Sequence, residues 1–173
     1  MKHILIECQR PHRALIWSIA EQLWPNKFGI WPGISLGSAL GCGLFEFHNT
    51  KGEKIPGAQR LFTILMSECM HLIWRLRCDS VIDRGGEEIS IEEAYNKLKQ
   101  ALNKRLQQDI QQSNKARWGS HALPKDVVGS CWFPVIKDNN NLPPNWVGKT
   151  EVLVGIGPLS DYMTPSSQPM AAT

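Results

Sequence analysis

Apolar positions recur along this chain at helical rather than strand spacing, most clearly over residues 58–84 (AQRLFTILMSECMHLIWRLRCDSVIDR). Leu61, Leu65, Cys69, Leu72 and Leu76 follow one another at three- and four-residue steps and so share one face. Phe62, Met66, Met70 and Ile73 widen that face beyond a narrow stripe, which predicts more than one packing partner. Gln59, Thr63, Ser67, His71 and Arg75 mark a thin wet edge. Pro56 and Gly57 punctuate the start, and Gly85 and Gly86 the end. The pattern predicts a long central helix, about 58–84, around which the rest of the chain is organised.

Upstream, Pro11 suits the first turn of a helix whose apolar positions are Ala14, Leu15, Trp17, Ile19, Ala20, Leu23 and Trp24, ending at Pro25. Residues 25–57 are rich in glycine and proline, with a short helix expected around 35–41. Downstream, Ser90 followed by Glu93 reads as a capping box, each side chain bonding the other's backbone N–H. It opens a long amphipathic helix with Ala94, Tyr95, Leu98, Ala101, Leu102, Leu106 and Ile110 on its apolar side, ending near residues 115–118. A last helix restarts at Pro124 and carries Val127, Val128, Trp132 and Phe133. Trp118, Trp132 and Trp146 are expected as anchors for the later segments.

Residues 137–173 hold an asparagine run, paired prolines and a final polar stretch, and read as an extended or disordered tail in which 151–157 is a short extended piece. The expected fold is therefore all-α. It is an irregular bundle of about five helices around the central one, comprising residues 1–9, a helical domain at 10–136, and the tail.

Composition adds little. The net charge is +3, from 19 basic and 16 acidic residues, so the whole-chain field neither demands nor excludes nucleic acid. Five scattered cysteines suggest a reducing compartment without a disulfide framework. No leader pattern and no run of about 18 apolar residues appears, so an intracellular protein of nucleus or cytoplasm is expected, with no membrane partner.

Four patterns carry candidate chemistry. Gly33, Ser35 and Gly37 match the nucleophile-elbow spacing, but that motif needs a strand feeding a helix, and none leads in. Glu68, His71 and Arg75 fit a base with a charge partner; the plainer expectation is a wet helix edge with Glu68 bonded to His71 or Arg75. Lys97, Lys104, Arg105, Lys115 and Arg117, with Trp118 to stack on a base, suit contact with a nucleic-acid backbone, although Glu92, Glu93 and Asp109 interrupt the face. His3 and Cys8 form H-x4-C, the second half of a four-ligand zinc knuckle whose C-x2-C half occurs nowhere in the chain. No small-molecule substrate and no catalytic activity are expected.

The order of landmarks is more specific than any one of them. MKHILIEC, IWSIAEQLW, WPGISLGSALGCGL, PGAQRLFTILMSECMHLIWRLRCDSVI, ALNKRLQQDIQQSNKARWG and EVLVGIG together resemble a C-terminal region of fungal (basidiomycete) retroelement polyproteins, over most of residues 2–157. There it follows a reverse transcriptase and a ribonuclease-H-like domain. The resemblance implies that residues 1–9 are a remnant of the zinc-binding stretch, with His3 and Cys8 as its last two ligands, and that zinc binds only if an upstream cysteine pair is present. It implies a tail of a longer polyprotein, or a gene model starting at an internal methionine, without polymerase or nuclease residues of its own. The function expected is a non-catalytic accessory module, or remnant, contacting nucleic acid or the upstream catalytic domains. The alternative is a stand-alone helical nucleic-acid-binding protein.

Overall fold

In the computed structural model, residues 2–163 are described, and they form an all-α bundle. Its α-helices are α1 (Pro11–Leu23), α2 (Leu36–Leu40), α3 (Ala58–Cys78), α4 (Ile91–Gln112), α5 (Lys115–Trp118) and α6 (Lys125–Trp132). Among the described residues there is no strand, only two isolated antiparallel bridges, His48 with Lys54 and Ile136 with Val154. None of the described helices is long and apolar enough to cross a membrane.

The central helix is α3, and its apolar positions decide the architecture. Leu61, Phe62, Leu65, Met66, Cys69, Leu72, Ile73 and Leu76 are all buried, across a face wide enough for α1, α4 and α6 to pack on it. The helix does not stop at Cys78. It widens into a π-helical turn over Asp79–Asp83 and closes at Arg84, so the predicted end holds although the winding changes. Gly57 starts it in a left-handed conformation, φ 81°, and a Cβ there would overlap the α6 backbone at Ser130 and Cys131. That one glycine thus sets both the helix entry and the close approach of α6.

The glycine-rich stretch between α1 and α3 is held by aromatic packing rather than by regular structure. Phe62 of α3 meets Phe45 at 4.8 Å and Trp31 at 5.3 Å between ring centroids, and Trp24 meets Phe47 at 5.0 Å. The short helix expected near 35–41 is α2, with Ser35 and Ser38 capping it reciprocally.

Four expectations need correction. Residues 137–163 are irregular, with helical turns at Asn139–Asn141 and Leu159–Tyr162, but they are not a free tail: Trp146, Val147, Val152, Val154 and Ile156 lie in the core. Val152, Val154 and Ile156 alternate, so every second side chain points inward, and α4 supplies backbone partners: Gln107 donates to the Val152 carbonyl (3.1 Å) and Asn103 accepts from the Val154 N–H (2.8 Å). The remainder of the expected tail, residues 164–173, lies outside the described residues. Residues 1–9 are not a separate unit either, since Leu5 is buried and its carbonyl accepts from the Trp17 indole at 2.9 Å. At α4 only half of the capping box forms: Ser90 accepts from the Glu93 N–H at 3.0 Å, while the Glu93 carboxylate turns away to Arg84 and Lys97. Finally, Trp132 and Trp146 anchor the later segments, but Trp118 is 43% exposed and anchors nothing.

Candidate nucleic-acid interface

Where α3 and α4 diverge they leave a cleft of about 740 Å³. Glu68, His71 and Arg75 come from α3 and Lys97, Lys104 and Arg105 from α4. Two groups that the sequence offers separately, the α3 trio and Lys97, Lys104 and Arg105 of α4, therefore share one concavity. The local reason is periodicity. On α3 the buried face stops at Leu72 and Leu76, and the next positions round the helix are His71, Arg75 and Asp79; on α4, Leu98, Leu102 and Leu106 face the core and Lys97, Lys104 and Arg105 flank them.

The cations are not equivalent. Lys97 lies 2.9 Å from Glu93 and 3.1 Å from Asp79, and these hydrogen bonds, Glu93's first, raise its pKa. Glu93 also accepts from Arg84 at 2.6 Å, and together the two cations hold its carboxyl down to about 2. This end of the cleft is a closed charge network. Arg105 lies 3.5 Å from Asp109, in ion contact but without a hydrogen bond from its buried Nε. Arg75 and Lys104, by contrast, have no carboxylate within 4.0 Å among the described residues. Glu68 makes no ion pair with His71 or Arg75 either, so the expected bond along the helix edge is not formed.

Lys115, Arg117 and Trp118 stand elsewhere, on α5, the exposed turn after α4. Asn114 caps α5 by accepting from the Ala116 and Arg117 N–H groups. The Arg117 guanidinium sits over the Trp118 ring at 5.7 Å. Lys115 lines a second cleft of about 1130 Å³, bounded by the end of α4 and the start of α6. The six proposed nucleic-acid residues thus divide into two places joined by α4.

Asp109, which the sequence suggests interrupts an outward basic face, is fully buried instead. Arg60 of α3 donates to it twice, Nε to Oδ2 at 3.2 Å and Nη2 to Oδ1 at 2.8 Å, and the Trp132 indole of α6 donates at 2.9 Å. This cluster ties three helices together. The signal for it was in the sequence: Leu98, Leu102 and Leu106 run at core phase, and Asp109 is the next position at that phase.

The remaining candidates do not assemble. Ser35 caps α2 through its Oγ, which accepts from the Ser38 N–H at 3.0 Å, and no strand precedes it. His3 and Cys8 bracket one π-helical turn, the Cys8 N–H donating to the His3 carbonyl at 2.7 Å. Among the described residues no group of three or more His, Cys, Asp or Glu side chains is placed to hold a metal ion, so these two do not make a closed four-ligand zinc site within them. No protein-family profile, no curated protein and no solved structure matches this chain.

Proposed function

We propose that this chain is a non-catalytic helical module, of the kind that accompanies a retroelement reverse transcriptase, and that it contacts nucleic acid through the α3–α4 cleft. The observation that carries the reading is the pair Arg75 and Lys104, two cations lining one concavity with no carboxylate partner among the described residues. A cation already bound by a carboxylate has little to gain from a phosphate, whereas an unpaired one releases counterions when it meets a phosphodiester. The landmark order along the sequence gives the context of a polymerase-associated module.

Fluorescence anisotropy with a labelled nucleic acid at about 50 mM salt tests this, since such binding loses affinity steeply with salt. The double variant Arg75→Glu, Lys104→Glu should lose at least about tenfold in affinity. Binding that ignores both salt and these charges, or no binding to any nucleic acid, rejects the proposal.

A second reading, contact with a neighbouring protein domain, has its own observation. Ile30, Leu40 and Leu44 are 93%, 71% and 86% exposed on the glycine-rich stretch, apolar side chains that a neighbouring domain would cover.

A further inference from the structure

We infer that the ligand of the cleft is a single strand, laid along α4 from Arg75 and Lys104 to a stacking platform at Trp118. The inference rests on the function proposed above and names the form of nucleic acid and its path.

Three observations lead there. First, α4 lines both clefts: Gln108 belongs to the one beside α3, and Gln111, one turn later, to the one beside α6. Lys104, Gln108 and Gln111 are all exposed and spaced at four and three residues, so they form one continuous polar stripe, about 10 Å long at 1.5 Å per residue. Secondly, the charges sit at the two ends of this path. Arg75 and Lys104 mark one end, and Lys115 and Arg117, also without a carboxylate within 4.0 Å among the described residues, mark the other. Between them run glutamines, whose amides both donate and accept and so suit bases and sugars rather than phosphates. Thirdly, Trp118 stands beyond the last glutamine, 43% exposed, next to Lys115 and Arg117. An exposed indole beside cations is the platform on which an unpaired base stacks.

A duplex does not fit this arrangement. A helical protein that reads duplex sequence commonly inserts a projecting helix into the major groove, about 12 Å wide. Here α4 is packed against α1, α3 and α6 and cannot project. The surface it offers along this path is concave, a groove in which a flexible strand can lie.

The experiment titrates the full chain against labelled oligo(U) of about 12 nucleotides, a length within the usual single-strand site sizes, and against a duplex of equal length. The expected result is single-strand binding at least tenfold tighter, with a log–log salt slope near −3, that is, about −0.7 for each of four phosphate contacts. Lys104→Gln and Lys115→Gln should each reduce the slope by about 0.7, although they lie at opposite ends of the path. Trp118→Ala should weaken binding about 5- to 150-fold and leave the slope unchanged, because stacking releases no counterions. All three side chains are exposed, so the variants should fold, which circular dichroism checks. Inorganic phosphate at matched ionic strength should not displace the strand.

Equal or tighter binding of the duplex, with the same charge dependence, overturns the single-strand inference and leaves nucleic-acid contact standing. Displacement by micromolar phosphate overturns it in favour of a site for one anion. A Lys115→Gln or Trp118→Ala variant that binds like the parent removes the path along α4. Absence of binding to either oligonucleotide removes this inference and the proposed function together.

Discussion

On its inward side α4 holds Asp109, which accepts two hydrogen bonds from Arg60 and one from Trp132 and is closed to solvent. On its outward side, little more than one turn earlier, it holds Lys104, exposed and without a carboxylate within 4.0 Å among the described residues. Both are charged residues on one helix, and composition treats them alike. Their surroundings assign them opposite roles. A buried carboxylate is tolerated only when its lone pairs are filled, so its partners are structural. An exposed cation with no carboxylate partner gains little from folding and stays free for the phosphate contact proposed above. Lys97 lies between these extremes: it faces the same cleft as Lys104, yet Glu93 and Asp79 already neutralise it.

The sharpest break in this contrast is Arg60→Ala. It leaves Asp109 fully buried with only Trp132 and the loosely placed Arg105, and it should cost about 3–5 kcal/mol of unfolding free energy in urea denaturation. Asp109→Asn should cost less, about 1–3 kcal/mol, because Arg60 and Arg105 are each about a third exposed and can turn to water. If Asp109→Asn proved the worse of the two, the carboxylate would not be the group that burial makes vulnerable, and the inward face would need another account.

The same contrast explains what was legible in the sequence. Helix phase is written in apolar spacing, so α1, α3, α4 and the wide face of α3 could be read directly, and so could the helix start at Pro11 and the Ser90 cap. The extended form of residues 151–157 could be read as well, but not its packing: only three positions point inward, and they are held because Asn103 and Gln107, about fifty residues away in sequence, supply hydrogen bonds. Likewise Lys97, Lys104 and Arg105 form one basic cluster in the sequence. Which of them is paired depends on Asp79, Glu93 and Asp109, and so on how α3 and α4 meet. The Asp109 cluster was readable in principle, since a charged residue at core phase must find partners, but Arg60 and Trp132 as those partners were not.

A smaller effect sharpens the outward side. Arg75→Gln with Lys104→Gln should leave stability within about 0.5 kcal/mol of the parent, since exposed substitutions that break no pair seldom do more. A stability loss well beyond that, measured by thermal melting, would mean that these cations are held by contacts the cleft geometry does not contain. The argument for a ligand would then weaken.

A further effect, conditional on pH, concerns the closed end of the cleft. The Glu93 carboxyl is held from an ordinary 4.5 down to about 2 by Arg84 and Lys97. A group whose folded-state pKa is depressed adds stability above its unfolded pKa and loses it as pH falls through the folded one. Glu93→Gln should therefore be less stable than the parent near neutral pH, by no more than about 1 kcal/mol because the pairs are partly solvated. That difference should close between about pH 4.5 and pH 2. Nucleic-acid affinity near neutral pH should hold or rise slightly in this variant, because Lys97 is released from one of its two carboxylates. A fall in affinity would show that the Glu93 network positions the open cations, and the division of α4 into a structural end and a binding middle would then be wrong. The measurement is a pair of denaturation curves at several pH values and one anisotropy titration.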